Sequence, residues 1–204
     1  MLGGDCSILL GSLLALRGRG DHGLLFVDGH ADCYDPASES TGEAASMDLA
    51  LATGRGPGLL ADLDGRGPLV GEENVAVVGF RDHDVQREDG SPPLPDAILA
   101  LDLPAVRQRG VAAAVDEALA VVARPELEGF WVHLDADVLD DAIMPAVDYR
   151  LAGGLGWDEL KTLLRAALAT GRLTGVEVTI LNPELDPTGE AVRGLAACLA
   201  GGLR

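Results

Sequence analysis

The chain has 204 residues, 48% of them hydrophobic, which is enough for one domain with a full core over residues 1–204. Its formal net charge of −18 at pH 7 would repel phosphates and so excludes a nucleic-acid partner. No apolar run reaches the ~18 residues that crossing a bilayer needs, so no membrane partner is expected, and three cysteines with no signal-peptide pattern fit a reducing cytoplasm.

In chain order, Gly3-Gly4-Asp5-Cys6-Ser7 reads as a strand-to-helix turn lacking its strand, followed by a helix over 6–17 that Asp5 or Ser7 could cap. Apolar Leu24-Leu25-Phe26-Val27 predicts a buried strand over 24–28. A helix is expected over 45–53, and loops over 54–72 and 82–97 bracket a strand over 74–80. Further strands are predicted over 98–102, 129–135 and 174–180. Helices are predicted over 104–122, 157–170 and 188–200. Strands alternating with helices predict a three-layer α/β fold with a mainly parallel sheet.

Two of these strands stop in chemistry. Asp28-Gly29-His30-Ala31-Asp32 places two carboxylates and an imidazole at alternate positions, which in extended chain point to one side. Such a set suits a divalent ion, although a strand followed by a polar capping turn reads the same way. The second strand, Phe130-Trp131-Val132-His133-Leu134, also ends in alternating acids, Asp135 and Asp137. Gathering Asp28, Asp32, Asp135 and Asp137 around one point costs several kcal/mol without a cation. A pair of metal ions removes that cost.

Taken together, GGDCS at 3–7, DGHAD at 28–32 and DADVLD at 135–140 resemble the arginase family, the ureohydrolases that include arginase, agmatinase and formiminoglutamase. Val78-Gly79-Phe80-Arg81-Asp82 and Val176-Glu177-Val178-Thr179-Ile180-Leu181-Asn182-Pro183 are similar to two further family motifs, so the resemblance runs through the whole chain. It implies an arginase-type fold whose N-terminal strand-helix units are missing here. It also implies two Mn²⁺ ions held by Cys6, Asp28, His30, Asp32, Asp135 and Asp137. The implied reaction is hydrolysis of a C–N bond in a small guanidino or formimino compound by a metal-bridging hydroxide, with Asp28 or Asp137 moving the proton. His133 matches no ligand position of the family and is expected to be a half-buried strand residue beside the site.

Three positions depart from the family pattern. Cys6 stands where the family has histidine, and a thiolate favours Zn²⁺ or Fe²⁺ over Mn²⁺. The histidine of the family's proton shuttle falls at Ala45, and the glutamate that holds the guanidinium falls at Ile180. These departures leave a second reading open: a catalytically degenerate family member serving as a metal-binding or assembly subunit. The missing strand is expected to deprive the neighbours of the 24–28 strand of a partner, to leave Cys6 fixed only by its helix, and to favour homo-oligomers. A dinucleotide-binding domain is excluded, because no G-x-G-x-x-G follows a strand.

Overall fold

A computed structural model describes residues 1–204. Five strands, β1 (His22–Val27), β2 (Val75–Val78), β3 (Leu99–Leu101), β4 (Gly129–Asp135) and β5 (Leu173–Thr179), form one all-parallel sheet in the order β3-β2-β1-β4-β5. Their continuous Val/Leu/Phe runs follow from burial on both faces, as parallel sheets require. The chain winds outward from β1 through β2 to β3, then returns to lay β4 on the other side of β1. Strand order therefore reverses between β1 and β4, and the crevice at their carboxyl ends is where such sheets collect ligands.

Two helical layers cover the sheet. One apolar cluster joins α6 (Val111–Val122), α7 (Trp157–Ala169) and α8 (Glu190–Gly202) to Leu25, Val27, Val132 and Leu134. The other joins α1 (Ile8–Arg17), α2 (Asp48–Ala52) and α3 (Gly58–Ala61) to the alternate residues Leu24, Phe26, Val75 and Val77. The alternation of side chains along each strand divides the core in this way. Each fully buried Leu or Phe contributes about 1.5–3 kcal/mol to holding it.

The predicted elements are present with local corrections. The segment predicted as one helix over 104–122 is two, α5 (Leu103–Arg109) and α6, because Gly110 adopts φ 80°, ψ 144°, which breaks the helical path and which only glycine accepts readily. Asp102 caps α5 by accepting a hydrogen bond from the Ala105 amide at 2.8 Å. Short helices, α3 and α4 (His83–Glu88), lie inside the two segments predicted as loops. Asp5 does not cap α1: its carboxylate accepts from the Ser7 amide at 3.0 Å and shapes the turn instead.

The amino terminus also differs from expectation. Both sheet neighbours of β1 keep a strand on each side, β2 between β3 and β1 and β4 between β1 and β5. Residues 1–4 run beside β5, where the Gly3 amide donates to the Val178 carbonyl at 3.1 Å and the Ile180 amide donates to the Gly4 carbonyl at 3.0 Å. Cys6 is thus positioned by backbone pairing to β5 as well as by its helix.

Candidate metal centre

β1 and β4 end in the same local device. Beyond β1, the His30 amide donates to Asp28 Oδ1 at 2.7 Å; at the end of β4, the Asp137 amide donates to Asp135 Oδ1 at 2.7 Å. Each turn is closed by the carboxylate two residues back, which aims the remaining oxygen inward. The Gly29 amide joins the two turns by donating to Asp137 Oδ1 at 2.9 Å. A Cβ at Gly29 would lie 2.5 Å from Arg81 Nη1 and 2.7 Å from Asp137 Oδ1, so the contact requires glycine. The residues after β2 brace this arrangement. Arg81 Nη2 donates to the carbonyls of Asp137 at 2.8 Å and Leu151 at 3.0 Å, and Asp82 Oδ2 accepts from the Ala31 amide at 3.2 Å and Gln86 Nε2 at 2.7 Å.

Two donor groups result, and Asp28 belongs to both. The outer group is Asp28, His30 and Asp137, with His30 Nδ1 2.8 Å from Asp137 Oδ2 and 3.9 Å from Asp28 Oδ1. The inner group is Cys6, Asp28, His133 and Asp135, all buried, with one ligand atom from each residue and every such atom within 4.8 Å of the others. Cys6 Sγ donates to Asp135 Oδ2 at 2.8 Å and lies 3.5 Å from Thr179 Oγ1. Asp32 is buried in the left-handed region at φ 43° and joins neither group, although it feels the charges of Asp28, Asp48 and Asp135.

The electrostatics of the pocket call for a cation. Burial, then repulsion by Asp137, pushes Asp28 up to about 6. Burial likewise drives Asp32, Asp48 and Asp135 well above the usual carboxylate range, and the Cys6 thiol above its own. For Asp137 burial is outweighed by the His30 hydrogen bond and charge, which hold it below the usual range. Burial also opposes the charged forms of both imidazoles, yet Asp137 lifts His30 to about 9, and the neighbouring carboxylates of Asp28 and Glu177 lift His133 to about 10.

Asp28 Oδ2, His133 Nε2 and both oxygens of Asp48 are buried without a hydrogen-bond partner. Leaving such atoms unsatisfied costs about 1–3 kcal/mol each. Divalent ions fit this donor set, since they neutralise crowded carboxylates and engage the orphaned atoms.

The structure brings together five of the six sequence-predicted ligands and adds groups that sequence reasoning missed. His133, expected to be half-buried, is fully enclosed, with Nδ1 2.8 Å from Glu177 Oε1. Ser12 Oγ donates to the other Glu177 oxygen at 2.5 Å. The spacing H-x-D-x-D at 133–137 mirrors D-x-H-x-D at 28–32 and is a usable signal for His133. Asp48 also carried one, as a lone acid within the apolar run Met47-Asp48-Leu49-Ala50-Leu51-Ala52. Ile180 is half-buried at φ 64°, a strained backbone for a β-branched residue.

Comparison with known proteins identifies the family and the fold. The family model described as the arginase family matches residues 1–203. The arginase of Brevibacillus brevis is 28% identical over 201 residues, covering 98% of this chain and 66% of that protein. The crystal structure of arginase from Bacillus cereus superposes with a TM-score of 0.85 at 28% identity, covering 99% of this chain and 69% of the other. The agmatine ureohydrolase of Thermoplasma volcanium shares the fold, with a TM-score of 0.73 at 23% identity and 60% of its length covered. The chain thus spans about two thirds of the length of the arginases it matches. With its motifs, its sheet order and the carboxylates gathered at the β1/β4 switch point, it belongs to the arginase family.

Proposed function

We propose that the chain is a metal-dependent hydrolase of a C–N bond in a linear amidine, a guanidino or formimino compound, built on the unit 1–204 and working in the cytoplasm. The observation that carries this reading is Asp28, a fully buried carboxylate common to both donor groups at the sheet's switch point. Cys6, Asp28, His30, Asp32, Asp135 and Asp137 are the proposed ligands, for two ions that are Mn²⁺ by family likeness, or Zn²⁺ or Fe²⁺ given the thiol. Ions bound there would supply a water of lowered pKa and polarise the amidine carbon. Asp137, hydrogen-bonded by His30 at the outer edge, and Asp28, common to both groups, are the carboxylates placed to help move the proton. The Gly29 amide and Arg81 hold the Asp137 turn in place for that role.

Ile180 cannot form the charge-assisted pair with a guanidinium, a contact worth roughly 1.5–3 kcal/mol, so arginine and agmatine should be poor substrates, its absence alone weakening turnover about tenfold or more. Metal analysis of the purified protein, followed by a screen for urea, ammonia or formamide release over guanidino and formimino compounds, tests the reading. A melting temperature indifferent to Mn²⁺, Zn²⁺ and Fe²⁺ would overturn it, because saturation at a hundredfold excess over Kd adds ~2.7 kcal/mol per site. Ala45 and Ile180 favour a second reading, a metal-binding or assembly subunit without turnover. Full metal occupancy with no product from any compound in the screen would select it.

A further inference from the structure

We propose that His133 is itself a metal ligand, so that the inner ion is held by Cys6 Sγ, His133 Nε2, Asp28 and Asp135, a thiolate-imidazole-dicarboxylate set suited to zinc. The proposal rests on the reading of this pocket as a metal centre and assigns a ligand outside the family's set. His133 lies two residues before Asp135 on β4, so both side chains emerge on the same side of the sheet. Its ring is fixed on two sides, by Glu177 and by Phe26. Nδ1 faces Glu177 Oε1 at 2.8 Å, Ser12 fixes the second Glu177 oxygen at 2.5 Å, and Phe26 stacks on the ring at 4.5 Å and 17°.

A carboxylate on Nδ1 selects the tautomer that protonates Nδ1 and presents the Nε2 lone pair, the usual support for a metal-bound histidine. That lone pair meets no donor: Nε2 is buried and unpartnered, and so is Asp28 Oδ2, 3.7 Å away. The separation is too long for a hydrogen bond but close to the ~3.3–3.4 Å between two ligands on one tetrahedral zinc with bonds of about 2.0–2.1 Å. Replacing the family's histidine by Cys6 therefore leaves the inner ion with an imidazole donor, now supplied from β4.

The competing arrangement is a buried imidazolium at His133 that neutralises Asp28 and Glu177 in place of the inner ion. The four histidines, His22, His30, His83 and His133, make the two arrangements separable by imidazole ¹H–¹⁵N spectra during zinc titration of the metal-free protein. The expected result is binding of two zinc ions per chain, with His30 and His133 moving to metal-bound shifts and His22 and His83 unchanged. His133 should keep its proton on Nδ1. A His133 that remains doubly protonated at full zinc occupancy overturns the proposal while leaving the metal centre intact; no zinc binding at all overturns both. His133→Gln and Glu177→Gln, compared by zinc stoichiometry and affinity, give a second readout. The first should lose one ion and keep the other. The second should weaken the inner ion about 10–100-fold, as loss of a ligand's supporting carboxylate does. Two ions bound by a folded His133→Gln protein with unchanged affinity would also overturn the assignment, and the wild-type spectra decide the case if that variant does not fold.

Discussion

The inner and outer donor groups share Asp28 and contrast in nearly everything else. The outer group carries only oxygen and nitrogen donors, and His30 reaches partly into solvent, with 21% of its side chain exposed. The inner group is sealed beneath it and adds a thiol, and its imidazole is backed by the buried Glu177. Each group is built by the same two strand-ending turns. The difference therefore comes from what the turn before α1 and the interior of β4 contribute, namely Cys6 and His133. Softness and enclosure go together here: the inner site should be slow to exchange and zinc-selective, and the outer one open, hard and nearer to substrate.

Asp28→Asn should do most to erase this contrast, since it removes the shared ligand. Both ions should weaken by more than about 100-fold, beyond the 10–100-fold that a supporting residue costs. Without metal the same change should raise the melting temperature, because it removes a buried carboxylate repelled by Asp137. Calorimetry with and without metal reads both outcomes. A variant that keeps both ions at wild-type affinity would refute the shared role.

Cys6→His should sharpen the contrast by converting only the inner donor set. The zinc preference of that site should fall about tenfold relative to manganese, while the outer site stays unchanged. Competition titrations of the two metals check this, and an equal shift at both sites would show that the groups are not independent.

The dependence of stability on pH should have opposite signs with and without metal. Asp28 rises from 3.8 to about 6 on folding, so its protonated form stabilises the metal-free protein below about 4, and that contribution is lost as pH climbs through 6. His30 and His133 rise from 6.5 to about 9 and about 10, so their paired cations stabilise below 6.5 and the contribution disappears through pH 9–10. All three act in one direction, and the metal-free melting temperature should fall steadily from pH 5 to 10. Saturating metal should reverse the trend between pH 5 and 8, because binding requires thiolate, carboxylate and neutral imidazole. Thermal melts across that range decide it.

The smallest effect is expected at the exposed surface. Tyr149→Phe removes the exposed hydrogen bonds from the tyrosine hydroxyl to Glu43 at 3.0 and 3.1 Å, and should change stability by no more than about 0.5 kcal/mol and metal affinity not at all. A larger change in metal binding, measured by the same titrations, would mean that the surface loops report on the site.

Much of the site was legible because its acids sit at alternate positions just past apolar strands. Asp28, His30, Asp135 and Asp137 are read from that spacing alone, and the structure brings all four together. His133 was marked only by the mirrored H-x-D-x-D spacing, which does not tell whether a histidine inside an apolar run packs, pairs or ligates. Only the register of β4 against β1 and β5, which sets it beside Phe26 and Glu177, distinguishes these roles. Asp48 was missed for the same reason: its significance depends on what surrounds it after α2 folds under the sheet.

By itself, the sequence determined the alternation of strands and helices, the parallel sheet and the two acid-bearing strand ends, since these depend on local periodicity and turn chemistry. The break at Gly110 and the helical turns at 58–61 and 83–88 escaped it, being short and weakly periodic. Tertiary structure alone decided that strand order reverses between β1 and β4, that residues 1–4 pair with β5, and that one carboxylate serves two donor groups. These are contacts between segments far apart in the chain, set by long-range packing that no local pattern encodes.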